Sequence, residues 1–463
     1  MPDKEMKIIV IGGGPGGYVA AIEAAQLGAT VTLVENDALG GTCVNRGCIP
    51  TKALIQTAGL LHEIGRAGEY GIAVKEYALD YTKAFARKER IVRQLREGVA
   101  YLMKKNKITV IKGKASIKDA GRVLLAGDDT TELSGDKIII ASGSEPGSIL
   151  VEGIDGEDVM NSDDALAMES LPRKMVIIGG GVIGLEFAQL FRRMNVEVSV
   201  IEMMPQLLPA EDQDIAGALE RALKKEGLNI YTNSRVMRIG TAPSGAKEVL
   251  FNSNGADRTM EGEKVLVSVG RRPCTAGLGL EKAGIALEKG RIIVNERMET
   301  SVKNVYAIGD VVGGAMLAHK AMAEGRCAAT NVMGREKRMD YRAIPRCIWT
   351  SPEVAAVGLT EREAKERYAD VKVSSFPFIA NGKAKILGET QGFVKIIAES
   401  RYGEILGVHL FGPHATEMIA ESVLGMQMEA GFQCLNETIH PHPTLSEAIL
   451  EASLGLEGKA LHI

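Results

Sequence analysis

The sequence predicts an α/β fold with two doubly wound, Rossmann-like units, and two stretches of chain carry that reading. From Lys7 to Ile11 runs a segment rich in β-branched residues, followed by Gly12-Gly13-Gly14-Pro15-Gly16-Gly17, an Ala-rich helical stretch ending before Gly28, and a second strand-like run from Thr30 to Glu35. The same order recurs from Lys174 to Glu202: Val176-Ile177-Ile178, then Gly179, Gly181 and Gly184, a helix through Arg193, and a strand from Val196. At 463 residues the chain exceeds what one hydrophobic core supports, so roughly two to four domains are expected.

Each glycine set fits G-x-G-x-x-G. Missing side chains there permit a tight turn, close approach of backbone to a pyrophosphate, and close packing of helix on strand. Glu35 follows Gly12 by 23 positions (35 minus 12), and Glu202 follows Gly179 by 23 (202 minus 179), where a carboxylate can accept hydrogen bonds from ribose hydroxyls. A lone glycine fingerprint is weak evidence, but two in the same context predict two bound dinucleotides.

Between Gly41 and Lys52 the chain reads Gly-Thr-Cys43-Val-Asn-Arg-Gly-Cys48-Ile-Pro-Thr-Lys52. Six cysteines in 463 residues are too sparse for a disulfide scaffold, and Cys274, Cys327, Cys347 and Cys434 stand alone, so no second close pair completes a tetrahedral metal site. No metal is expected, and Cys43 and Cys48 are read as a redox disulfide. Because the first glycine unit runs directly into this pair, FAD is assigned to it and the nicotinamide cofactor to the second. Glu202 would repel a 2′-phosphate and Met203 to Leu208 offers no Arg to hold one, which favours NAD over NADP.

The 55 basic and 59 acidic residues give a net charge of -4 with no basic stripe, which argues against nucleic acid. No export signal is read at the start, and the apolar stretch from Met175 to Phe191 is broken by glycines, Glu186 and Gln189, so it reads as a buried strand, turn and helix, not a membrane span. The expectation is a cytoplasmic protein without a membrane partner.

Taken together these segments resemble the pyridine nucleotide-disulfide oxidoreductases, over essentially the whole chain, and within them the branch that oxidises dihydrolipoamide. The marks are both glycine turns, the Cys43 to Lys52 segment, Ala141-Ser142-Gly143, Glu186, Val269-Gly270-Arg271-Arg272-Pro273, Tyr306 to Asp310, and His442-Pro443-Thr444-Leu445-Ser446-Glu447. The resemblance implies an FAD domain over residues 1–144, an NAD domain over 145–269, a central segment over 270–339 completing the FAD domain, and a C-terminal α+β dimerisation domain over 340–463. It implies FAD contacts from Gly12, Gly14, Gly17, Glu35, Thr42, Lys52, Gly113, Ala141, Ser142, Gly143, Asp310, Met316, Leu317 and Ala318. NAD contacts are implied from Gly179, Gly181, Gly184, Glu186, Glu202, Val236 and Gly270. Glu186 is the expected partner of Lys52, whose cation would favour a reduced, anionic flavin.

By the same resemblance Cys43 is the thiol attacked by substrate sulfur, and Cys48, at a helix start that lowers a thiol's pKa, lies against the flavin. A dithiol substrate needs a proton acceptor near neutral pH. His442 is the base and Glu447, five residues on, its orienting carboxylate; alone, a His before a Pro reads more readily as a turn residue, the reading kept for His440. The implied C-terminal segment reaches the active site of the other subunit, so a homodimer is expected, with a cis His442-Pro443 bond as in the family. No lipoyl domain is attached, so a separate lipoyl-carrying subunit of a 2-oxo acid dehydrogenase or glycine cleavage complex is the implied partner.

The nearest alternative is another disulfide or mercuric reductase of the family. The missing Arg after Glu202 and a tail without paired cysteines argue against it. A non-catalytic flavoprotein docking subunit is the reading from a different class, opposed by the presence of both cysteines, His442 and Glu447. Arg346-Cys347-Ile348-Trp349 departs from the family pattern with no physical account. The only Trp is read as interface packing, and the four lone cysteines as small buried residues.

Overall fold

The computed structural model describes residues 6–126 and 131–463. Lys7–Ile11 and Lys174–Ile178 are strands buried on both sides after their first residue, as the apolar runs KIIVI and KMVII require of strands inside a parallel sheet. Each sits at the centre of a five-stranded parallel sheet. The first has the order Val305–Ala307, Lys137–Ile140, Lys7–Ile11, Thr30–Glu35, Thr109–Lys112. In the second the order is Val159–Met160, Lys264–Val267, Lys174–Ile178, Glu197–Ile201, Asn229–Tyr231.

The repeat extends beyond the glycine turns. In each unit a three-stranded antiparallel ribbon lies in the chain between the third and fourth parallel strands counted from the central one: Lys114–Asp119, Arg122–Ala126 and Thr131–Ser134 in the first, Ser234–Thr241, Lys247–Ser253 and Ala256–Gly262 in the second. The units differ at one edge, where Val305–Ala307 arrives after the second unit has been completed and Val159–Met160 arrives before its own unit begins. The chain leaves and re-enters the first unit side by side, since Ser144–Pro146 pairs antiparallel with Arg271–Pro273.

The C-terminal part is an antiparallel sheet of order Arg346–Ile348, Glu353–Gly358, Ile405–Gly412, Phe393–Glu399, Val371–Pro377. All eight residues of Ile405–Gly412 are buried, and the helices Ala415–Gln427 and Glu447–Gly455 cover the sheet. One apolar cluster joins the three parts, uniting Leu54 and Ala58, the second parallel unit around Ile177 and Leu219, and Ile348, Val354 and Phe411. That shared core holds the strand bearing Ile348 against the cysteine segment. Among the described residues no helix is long and apolar enough to cross a membrane.

Candidate functional site

The two glycine turns have matching geometry. Gly12 (φ +103°) and Gly179 (φ +113°) hold left-handed conformations in which a Cβ would fall 2.2 Å from the Ala141 carbonyl oxygen and 2.3 Å from that of Ser268, so a side chain is excluded twice over. Gly17 and Gly184 press on the turns themselves: a Cβ would lie 1.9 Å from Gly12 O and 2.1 Å from Gly179 O. At the middle glycines the space is open. A Cβ on Gly14 would meet only Gly41 Cα at 3.8 Å, and one on Gly181 nothing within 4 Å, which is the room a pyrophosphate needs beside a helix N-terminus.

Glu35 and Glu202 do more than the sequence suggests. Glu35 accepts the backbone N–H of Gly13 at 2.6 Å and of Asp37 at 2.8 Å. Glu202 accepts from Gly180 at 2.5 Å and Met204 at 2.7 Å. Each carboxylate therefore ties the end of its strand to its glycine turn, and the identical spacing in the two copies is the sequence signal of that tie.

One continuous cavity of about 2110 Å³ runs past both turns and the cysteine pair. Every residue expected to contact a cofactor lines it except Gly184, which is buried beneath the second turn. Asp310, in the short 3-10 turn Gly309–Val312, accepts the Ser144 hydroxyl at 2.5 Å, and Arg271 donates to Ser144 Oγ and to its carbonyl, both at 2.7 Å. Sequence reasoning missed what braces this turn. Lys320, fully buried on the helix Ala318–Val332, pairs with Glu324 at 2.8 Å and donates to Gly313 O, while Glu324 accepts the Gly309 N–H at 2.7 Å.

Cys43 lies in the helix Gly41–Arg46 and Cys48 opens the helix Cys48–Arg66, with Gly47 making the bend between them. The Asn45 side chain donates to Leu39 O at 3.0 Å and Gly41 O at 2.9 Å, which fixes the first short helix. Both sulfurs are free thiols. A hydrogen bond between them splits their acidities: Cys48 is lowered to about 7, first by that bond and further by the Lys52 ammonium, against the partial desolvation of its sulfur and the charge of Glu186. The Cys43 thiol is pushed far up by the same bond, by burial and by the charge of Cys48.

Lys52 Nζ lies 2.6 Å from Glu186 Oε2, the partnership expected from sequence. The strand Arg346–Ile348 and Trp349, left unexplained there, also belong to this site. Trp349 meets this site within its own chain: the Lys52 ammonium sits 4.4 Å from its ring centroid, and its backbone N–H donates to Glu186 Oε1 at 3.1 Å. Arg346 makes two bonds to the carboxylate of Glu211, at 2.8 and 3.1 Å. Among the lone cysteines only Cys327 is buried. Cys274 and Cys347 are part-exposed and line the cavity, and Cys434 is exposed, because the helix Phe432–Glu437 turns it outward.

His442 Nδ1 is 2.8 Å from Glu447 Oε1, and Glu447 Oε2 accepts the Thr444 N–H at 2.8 Å. The His442-Pro443 bond is cis. His440 is more than a turn residue, since its Nε2 lies 2.9 Å from Glu421 Oε1. The His442 side chain is 78% exposed, and neither His442 nor Glu447 lines the cavity of the cysteines in the same chain.

Residues 6–325 match the model of the pyridine nucleotide-disulphide oxidoreductases, and residues 344–453 match that family's dimerisation domain. The chain belongs to this family. Among curated members of the pyridine nucleotide-disulphide oxidoreductases it is 44% identical to a dihydrolipoyl dehydrogenase of Bacillus subtilis, over 99% of this chain and 100% of that one. A dihydrolipoyl dehydrogenase of Thermus scotoductus is also 44% identical, over 99% of each chain, and a leghemoglobin reductase of Glycine max is 40% identical over 98% of this chain and 88% of that one. Among solved structures, LpdA from Mycobacterium tuberculosis matches with a TM-score of 0.89 and 29% identity, covering 97% of this chain and 99% of that one. The HOCl-induced flavoprotein disulfide reductase RclA from Escherichia coli, as its Cu(II) complex, matches at 0.87 and 30%, with the same coverage. The family and its dimerisation domain account for the two parallel units and the C-terminal sheet.

Proposed function

We propose that this chain is an FAD-containing, NAD-dependent dihydrolipoyl dehydrogenase that oxidises the dihydrolipoamide of a separate lipoyl-carrying protein. The observation that carries the reading is the pair of hydrogen-bonded thiols in one cavity with two glycine turns, in a chain similar over its full length to enzymes of that name. The open space at Gly14 and Gly181 fits two dinucleotides. FAD would be held by the first turn, Glu35, Thr42, Lys52, Gly113, the segment Ala141 to Gly143, Asp310 and Met316 to Ala318. NAD would be held by the second turn, Glu186, Glu202, Val236 and Gly270. When bound, FAD supplies the two-electron carrier between the thiol pair and NAD.

In the oxidised enzyme Cys43 and Cys48 form a disulfide. His442 of the other subunit, its Nδ1 held by Glu447, takes a proton at Nε2 from one thiol of dihydrolipoamide. The resulting thiolate attacks Cys43 Sγ and breaks the Cys43–Cys48 bond. Cys48 leaves as thiolate, which its lowered pKa favours. The second substrate thiol then gives its proton to solvent and attacks the first substrate sulfur, closing lipoamide, and Cys43 leaves and is protonated by the imidazolium, which returns His442 to its neutral form. Two electrons have moved from substrate to the protein pair. The dimer is therefore part of the site, which agrees with an exposed His442 lying outside the cavity of its own chain.

The same reading divides the chain at residues 144, 269 and 339, with the first and third segments together binding FAD. A cytoplasmic setting is part of the same proposal. NAD reduction by dihydrolipoamide, compared with NADPH-driven reduction of glutathione disulfide, tests the proposal. Faster turnover in the second assay would overturn it.

A further inference from the structure

Trp349 is the only tryptophan in the chain, and it touches both members of the Lys52–Glu186 pair. Its backbone is clamped to the helix Val182–Arg193 at two points one turn apart. Glu186 accepts the Trp349 N–H, and Gln189 both accepts the Ser351 N–H and donates to the Ser351 carbonyl, each at 2.7 Å. Upstream, the two Arg346–Glu211 bonds hold the other end of the segment. The backbone that carries the ring is held in place, whereas Lys52 carries its ammonium on a flexible four-carbon stem.

We propose that Trp349 is a positioning residue for the redox thiols: its indole face seats the Lys52 ammonium so that the cation stays against Cys48. A ring face attracts a cation through its quadrupole, most strongly where water is displaced. Glu186 alone would not fix the ammonium, because a single ion pair leaves the stem several rotamers. The titratable groups facing Cys48 are Cys43 from the adjoining helix, Lys52 from its own helix and Glu186 from Val182–Arg193, so the place of Lys52 is the variable that Trp349 governs. The inference rests on the proposed function only in taking Cys48 as a redox thiol.

The test is the pH dependence of Cys48 alkylation by iodoacetamide in the reduced holoenzyme, followed by peptide mass spectrometry. Trp349→Leu should raise the alkylation midpoint by roughly half a pH unit or more, and Trp349→Phe, which keeps an aromatic face, should restore most of that shift. An unchanged midpoint in the Leu variant, or a Phe variant displaced as far as Leu, overturns the proposal. A second measurement does not depend on those variants folding: in Lys52→Met the emission of the sole tryptophan should change in wavelength or intensity, and unchanged emission contradicts the contact. Neither readout uses dihydrolipoamide or NAD. Failure of the lipoamide assay with Cys48 still governed by Trp349 would defeat the proposed function alone, and an indifferent Cys48 in an active enzyme would defeat this inference alone.

Discussion

Glu202 accepts the backbone N–H of Gly180 at 2.5 Å, the same bond that Glu35 makes to Gly13 in the other unit. In the proposed function the carboxylate that would take the ribose hydroxyls also locks the turn that would hold the pyrophosphate. Glu202→Gln removes the charge and one of the two acceptors that take the Gly180 and Met204 N–H groups, so it should raise the KM for NAD by about tenfold and narrow the preference for NAD over NADP, since a charge-assisted bond is worth about 1–3 kcal/mol. Steady-state kinetics with both nucleotides checks this.

The reduced protein should be more stable at pH 9 than at pH 7. Cys48 is depressed to about 7 in the folded chain and titrates near 9 when unfolded, so its stabilising effect is present above pH 9 and lost as pH falls through 7. The shift of Cys43 is in the opposite direction and acts only above pH 9. Calorimetry under reducing conditions should show a rise of about 1 °C between pH 7 and 9 that disappears in Cys48→Ser.

His409 sets part of the acid limit. It is fully buried, with Nε2 bonded to Leu359 O at 2.8 Å and Nδ1 without a partner, and burial lowers its pKa to about 4. The unfolded chain takes up this proton near pH 6.5 and the folded one only near pH 4, so the stability it gives is present above pH 6.5 and is lost progressively on acidification. His409→Gln should lessen the fall in melting temperature between pH 7 and 5 by about 2 °C.

Arg346→Met should leave the buried Glu211 carboxylate without its cation and cost about 3 kcal/mol of stability. Because Glu211 ends the loop that begins at Glu202, the KM for NAD should rise more than kcat falls. Denaturant unfolding together with NAD titration separates the two effects.

Both glycine turns and the cysteine pair were legible in the sequence, because each rests on short spacing or on a motif that occurs twice, whereas the Lys52–Glu186 contact, between residues 134 positions apart, was reached only through the family resemblance. The bracing of the Asp310 turn by Lys320 and Glu324 was not, since a charged pair on a helix ordinarily marks a solvated face and only the packing of Ala318–Val332 buries it. The contact of Trp349 with Lys52 was missed for a different reason. Its partner is nearly three hundred residues away, and only the shared core around Ile348 brings that strand to the cysteine helix. Cys434 was taken as buried by residue type, and its place on a short surface helix overrode that preference.

The central claim is that one chain supplies Cys43 and Cys48 while the other supplies His442 and Glu447. Cys43→Ser and His442→Gln proteins, each inactive alone, should regain about a quarter of the wild-type dihydrolipoamide-dependent NAD reduction after subunit exchange, because half the dimers are mixed and each has one intact site. No recovered activity after exchange has been verified by mass would contradict it.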